Sequence, residues 1–155
     1  MNTLIAEETP EAQPIMPIVY YDIVRGRSRD QVRTLLESTQ SAIVEAFGTP
    51  DTDRYQVLTE HSPGEMIISD NGLGIERSDR IVVIRMTSRQ GRKTRSQKEK
   101  LYELLARNLK RDCNLDPADL VISITENEDE DYSLGYGKAQ FCNGDLDPVT
   151  SRPRT

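Results

Sequence analysis

The sequence is poor in the features that mark several large protein classes. Two cysteines and one histidine are too few for a structural zinc site or a disulfide framework. No apolar run approaches the roughly 18 residues that a membrane span needs. Residues 1–15 lack the basic start and apolar stretch of a secretory signal. Basic residues number 20 against 26 acidic ones, and the net charge of −6 argues against a general nucleic-acid binder. What these absences leave is a soluble, cytoplasmic domain that partners neither membrane nor nucleic acid. Its 155 residues suit one compact unit and leave no room for two large ones.

The polarity is concentrated at the two ends. Residues 1–16 carry three glutamates and two prolines without periodicity, so they are expected to be a disordered extension. Residues 147–155 are similarly polar and are expected to form a flexible tail. Between them, at 17–146, four strand signals and two helix signals alternate. Pro17 to Val24 is β-branched and aromatic, as a strand requires. Ser28 is a candidate N-cap, and Val32, Leu35, Leu36, Ala42, Ile43, Ala46 and Phe47 fall on one face of a 3.6-residue period. Gly48 and Pro50 end that helix. A strand is expected from Tyr55 to Glu60, and a short one at Met66 to Ile68. Arg80 to Met86 is the clearest strand. Leu101, Leu104, Leu105 and Leu109 mark a second helix that stops near Cys113-Asn114, and Val121 to Thr125 closes the series.

The two halves repeat one another. Gly26-Arg27 aligns with Gly91-Arg92, Gln31 with Gln97, Pro50 with Pro117, and Thr59-Glu60 with Thr125-Glu126. Two copies at this spacing indicate a duplicated β-α-β unit, spanning 17–62 and 80–126, rather than a solenoid. The expected class is therefore α+β: two tandem β-α-β units forming a four-stranded mixed sheet, with both helices on one face. The second face of that sheet needs cover, so an oligomer is expected.

Three features carry possible chemistry. The first is Met16-Pro17. A proline opening a strand is ordinary, because its missing N–H is harmless there. If translation began at Met16 and Met were trimmed, however, Pro17 would become an amino-terminal secondary amine. Such an amine in a partly apolar pocket titrates nearer neutrality than a lysine and serves as a base or acid. The second is Ser88-Arg89-Gln-Gly-Arg92, two guanidiniums where a strand meets a helix N-terminus, which suits a carboxylate. The alternative is a solvated basic loop, since Lys93 and Arg95 continue the run. The third is Asp53-Arg54, where Asp53 either activates water or tunes the amine, or merely pairs with Arg54 at the surface. His61 reads as structural, the acidic run Glu126 to Asp131 as a solvated turn, and Gly72-Leu-Gly74 lacks the context of a dinucleotide fingerprint. Cys113 and Cys142 read as ordinary reduced thiols.

Together these features resemble the tautomerase superfamily, and more specifically its malonate semialdehyde decarboxylase branch. The likeness is carried by Met16-Pro17-Ile, Ala46-Phe-Gly48, Asp53-Arg-Tyr-Gln56, Pro63-Gly-Glu-Met66, Gly72-Leu-Gly74, Ser88-Arg89, Arg111-Asp-Cys113, Glu126-Asn127, Asp131-Tyr-Ser133, Gly135, Gly137 and Gly144-Asp-Leu146. It implies a homotrimer and a small oxo-carboxylate substrate, with no metal or organic cofactor. The catalytic proline and aspartate of the family fall on Pro17 and Asp53. Its substrate-binding arginines fall on Arg89 and on Arg92, with Arg95 an alternative because of the insertion around Lys93-Thr94. Its aromatic wall falls on Tyr132, where the branch usually has tryptophan. The cis-3-chloroacrylic acid dehalogenase type is set aside, because the helix from Ser28 to Phe47 has no histidine. The resemblance implies decarboxylation by a charged Pro17 that polarises the 3-carbonyl. The alternatives are a keto–enol tautomerase with a neutral Pro17, or a non-catalytic trimeric binding protein if Pro17 stays internal.

Overall fold

The computed structural model describes residues 15–146; the expected tail, and all of the expected extension except Ile15 and Met16, lie outside the described residues. Six main elements follow in order: β1 (Ile18–Val24), α1 (Arg29–Phe47), β2 (Tyr55–His61), β3 (Val82–Arg89), α2 (Arg95–Cys113) and β4 (Leu120–Asn127). The sheet order is β2-β1-β3-β4. β1 and β2 are parallel, β3 and β4 are parallel, and the central pair β1/β3 is antiparallel. The sheet is therefore mixed, with the two helix-linked parallel pairs meeting at its centre.

Local chemistry explains the element ends. Ser28 caps α1 by accepting from the Gln31 N–H while the Gln31 side chain accepts from the Ser28 N–H; Thr94 and Gln97 do the same for α2. These reciprocal capping boxes satisfy N–H groups that have no intrahelical partner. Gly48 closes α1 at φ +64°, a left-handed conformation that glycine adopts without a Cβ penalty.

Both helices lie on one face. Val19, Tyr21 and Ile23 of β1 and Val82, Ile84 and Met86 of β3 point into a single core with Leu35, Ile43, Leu101, Leu105 and Leu109. Truncating any one of these buried leucines to alanine is expected to cost roughly 2–5 kcal/mol. The alternate residues face the other way. On that side Tyr55 and Val57 are largely exposed, and Asp22 bridges His61 at 2.8 Å and Arg85 at 3.1 Å. His61 is thus held by Asp22 on the open face.

The strand expected at Met66 to Ile68 does not form. Ile67 is almost fully exposed, and no β strand runs beside this segment to complete its ladder. Ile15 and Met16 also depart from the expected disorder: both are 4% exposed, packed at the entrance to β1. Among the described residues no helix is long and apolar enough to cross a membrane.

Candidate active site

Asp53 is positioned by the end of α1. The left-handed Gly48 turns the chain, and the Asp53 N–H donates to the Pro50 carbonyl at 2.9 Å, aiming its carboxylate back toward the start of β1. Asp53 is buried. Its Oδ2 accepts from the Thr49 hydroxyl at 2.6 Å, the Ile15 N–H at 3.0 Å and the Met16 N–H at 3.1 Å. Its Oδ1 is buried without a hydrogen-bond partner. The carboxylate therefore gathers donors immediately ahead of Pro17, which is itself buried. The second half repeats the device: buried Asp119 accepts from the Ser78 N–H at 2.6 Å, just before β3. Anchoring the chain that enters a central strand is thus a general task of this aspartate, and only the first copy has a proline beside it. Arg54 does not pair with Asp53; it forks onto Glu37 at 3.0 and 3.2 Å.

Arg89 ends β3 and is 5% exposed, so it is not part of a solvated loop. Its Nε and Nη2 donate to the two oxygens of Asp129 at 2.8 and 3.0 Å. Its guanidinium lies 4.0 Å from the Phe141 ring centroid, a cation–π distance. These hydrogen bonds hold the Asp129 carboxyl below the usual carboxylate range. Arg92 approaches the same carboxylate at 3.8 Å. Arg95 does not join them: it is 91% exposed and pairs with Glu99 along α2. The structure therefore brings Arg89 and Arg92 together on one anion and leaves Arg95 in solvent. The Arg89 N–H also donates to the Ile15 carbonyl at 3.0 Å, so the segment before Pro17 touches both Asp53 and Arg89.

Tyr132 is 6% exposed and meets Phe141 edge-on at 5.6 Å. Its hydroxyl is buried facing the Thr87 and Asn127 side chains without a well-formed hydrogen bond, and burial pushes the phenol's pKa up. Arg89, Phe141 and Tyr132 form a continuous stack at one end of the sheet.

Three residues were not legible as site residues. Asp129 belongs to the acidic run read as a solvated turn, yet the parallel register Arg89↔Asn127 sets it beside Arg89. Phe141 lies in a glycine-rich stretch with no periodicity. Lys93 looks like one of several surface cations, but its side chain is fully buried. Its ammonium faces Ser88 Oγ at 2.6 Å, the Arg89 carbonyl at 3.4 Å and Glu126 at 3.3 Å. Burial pushes its pKa down, and Glu126 opposes that.

A cleft of about 1020 Å³ lies elsewhere, along α1, lined by Arg27, Val32, Arg33, Leu36, Glu37 and Arg54 among others. None of Pro17, Asp53, Arg89 and Tyr132 borders it, and its size alone does not make it the reactive centre.

The chain is similar to known proteins over most of its length. Two models described as tautomerase enzyme match residues 53–135 and 17–76. The probable tautomerase YrdN of Bacillus subtilis (strain 168) is 40% identical over 131 residues, which is 84% of this chain and the whole of that protein. The probable tautomerase YusQ of the same organism is 30% identical over 126 residues, covering 81% of this chain and 98% of its own length. Among solved structures, a malonate semialdehyde decarboxylase with decarboxylase and hydratase activities is 41% identical, with a TM-score of 0.79 over 83% of this chain and 98% of that one. A second malonate semialdehyde decarboxylase, inhibited by 3-bromopropiolate, is 34% identical at the same TM-score over 84% of this chain and 98% of that one. A fused 4-OT symmetric trimer, 16% identical with a TM-score of 0.65 over 78% of this chain and 94% of that one, shares the fold.

Proposed function

Because this chain belongs to the tautomerase superfamily, on the malonate semialdehyde decarboxylase-like branch, we propose that it decarboxylates a small 3-oxo acid through an amino-terminal Pro17. The observation that carries this reading is the Asp53 carboxylate, buried and bonded to the two backbone N–H groups directly ahead of Pro17. Once the Met16–Pro17 bond is hydrolysed, the Pro17 amine takes a proton beside that carboxylate, which favours the charged form. Arg89 and Arg92 hold the substrate carboxylate by forked, charge-assisted donation. The Pro17 ammonium polarises the 3-carbonyl oxygen. The bond between the carboxylate carbon and C2 then breaks, carbon dioxide leaves, and the electron pair becomes an enolate stabilised by the ammonium. Electrostatic stabilisation of developing charge is usually the largest catalytic contribution. Protonation at C2 gives the aldehyde, which is acetaldehyde when the substrate is malonate semialdehyde.

With residue 16 attached, Pro17 is an amide nitrogen with no basic lone pair, and Ile15 and Met16 occupy the donors and acceptors of the site. The uncut chain is therefore proposed to be inactive, at most a binding protein. The whole of the YrdN protein corresponds to 131 residues of this chain. The curated relatives are named probable tautomerases, which supports a second reading. In that reading a neutral Pro17 moves a proton between the enol oxygen and C3 of a short 2-oxo acid. We also propose a homotrimer, since the exposed Tyr55 and Val57 on the open sheet face need cover and a protein of the same fold is a trimer.

The test is the intact mass of the untagged protein made from its native upstream sequence, followed by assay of that same sample. A mass beginning at Pro17 together with carbon dioxide release from malonate semialdehyde supports the proposal. A mass that retains Met16 with undiminished turnover overturns it.

A further inference from the structure

The β1/β3 ladder pairs Ile18 with Thr87. The chain ahead of β1 stays beside β3, because the Arg89 N–H donates to the Ile15 carbonyl. The ladder ends at Ile18↔Thr87; carried one residue further, ahead of the positive φ of Met16, it would set Pro17 beside Ser88. Both are buried on the helix side of the sheet, and directly opposed residues have Cβ atoms about 4.5–5.5 Å apart. The ammonium of Lys93 is 2.6 Å from Ser88 Oγ. A buried cation therefore lies one side chain away from Pro17.

Burial works against that charge, and Glu126 supports it. Three acceptors, Ser88 Oγ, the Arg89 carbonyl and Glu126, face its three N–H bonds. The ring of Phe47, from the end of α1, lies 5.6 Å from the nitrogen. Glu126 does not cancel it, because the same oxygen also meets Lys98 of α2 at 2.9 Å. The cluster of Lys93, Lys98 and Glu126 carries one net positive charge. The Asp53 carboxylate meets the chain just ahead of Pro17, at the Ile15 and Met16 N–H groups. Arg89 is the remaining charge nearby, and Asp129 holds its guanidinium.

We propose that Lys93 is the positioning residue that sets the charge state of the Pro17 amine, opposing Asp53. A like charge disfavours the protonated amine and an opposite charge favours it, so Lys93 lowers the pKa that Asp53 raises. The inference rests on the amino-terminal Pro17 proposed above. It gives the insertion around Lys93-Thr94 a function: it places an ammonium against Ser88, behind the reactive nitrogen. The balance between Lys93 and Asp53 then decides how far into the alkaline range a charged Pro17 persists.

The experiment is a titration of ¹⁵N-proline-labelled protein beginning at Pro17, following the amine nitrogen by NMR, with the pH profile of decarboxylation recorded alongside. Lys93→Met is expected to raise the midpoint by about one pH unit, the effect of a nearby partly screened charge. The alkaline limb of activity shifts in the same direction. Lys93→Arg retains the charge and keeps the midpoint within about 0.3 units of the parent. Lys98→Met, a substitution on the helix surface, frees Glu126 to neutralise Lys93 and raises the midpoint by a smaller step. A folded Lys93→Met with an unchanged or lower midpoint overturns the proposal. If Lys93→Met fails to fold, an unchanged midpoint in Lys98→Met overturns it instead. The NMR midpoint needs no turnover, so its shift in a protein that releases no carbon dioxide supports the tuning and rejects only the decarboxylase.

Discussion

The carboxylate of Asp53 accepts the backbone N–H of Met16 at 3.1 Å, across 37 residues of sequence. That contact fixes the geometry of the whole site, because the next nitrogen along the chain belongs to Pro17. In the uncut chain the carboxylate anchors a peptide segment. In a chain that begins at Pro17 the same carboxylate faces an amine. Under the proposed function, a single side chain serves the entry to β1 in one form and the Pro17 amine in the other.

Replacing Asp53 separates these roles. In the uncut chain Asp53→Ala leaves the Ile15 and Met16 N–H groups and the Thr49 hydroxyl without their acceptor in a buried place. Each stranded polar group costs about 1–3 kcal/mol, and the combined loss is expected near the upper end of that range once the segment relaxes. A urea unfolding curve reads it. An Asp53→Ala chain as stable as the parent contradicts the anchoring role.

Arg89 is expected to be intolerant of lysine as well as alanine. Its fork engages both oxygens of Asp129 and its plane rests on Phe141, and lysine offers neither geometry. Both variants should lose about 10²–10³ in turnover of malonate semialdehyde, the effect of removing one such donor. Arg95→Ala, at a solvent-exposed position on α2, should remain within about twofold of the parent, well under 1 kcal/mol. Equal losses at Arg89 and Arg95 contradict the assignment.

Asp112 joins the two helices, accepting from Ser38 of α1 at 2.8 Å while paired with Arg111. The Arg111 hydrogen bond, aided by Ser38, pulls its pKa down to about 2. A depressed carboxyl stabilises the fold above its unfolded value near 4 and loses that contribution as pH falls through its folded value. Asp112→Asn should therefore unfold at lower urea than the parent at pH 6. The gap should shrink between pH 4 and pH 2. A gap that is constant with pH rules out the ionised carboxylate as its source.

Tyr132→Phe removes a buried hydroxyl that makes no well-formed hydrogen bond, although Thr87 and Asn127 face it. Deleting an unsatisfied polar atom while keeping the ring on Phe141 should be neutral or stabilising, by up to about 1 kcal/mol. Thermal unfolding of the two proteins decides it. A clear fall in Tm means that the hydroxyl is bonded in the working protein.

The helices were legible because their signals are local. Ser28 with Gln31, the 3.6-residue stripe from Leu35 to Phe47, and Gly48 all act within a turn or two. The parallel pairs were legible from the repeat. Residues whose partners lie far along the chain were not. Asp129 reads as a solvated acidic turn until β4 is laid beside β3, after which it meets Arg89 from 40 residues away. Lys93 sits in a run of cations that sequence alone assigns to solvent, and only the packing of α2 against Phe47 and Ser88 buries it. Ile67 shows the converse: a β-branched residue between turns has strand propensity, but with no neighbouring strand it stays exposed. Pro17, Asp53, Arg89 and Arg92 stood out from local chemistry and gained their roles by resemblance, Tyr132 came from the resemblance alone, and the structure adds the partners of Asp53 and Arg89.

The central claim is that the Pro17 amine, with Asp53 behind it, does the chemistry. It is tested most directly by carbon dioxide release from malonate semialdehyde in three proteins: a chain beginning at Pro17, its Pro17→Ala counterpart, and the uncut 155-residue chain. The account predicts turnover by the first, a loss of about 10²–10³ in the second, and none in the third. Equal turnover by the uncut chain, or by Pro17→Ala, would contradict it.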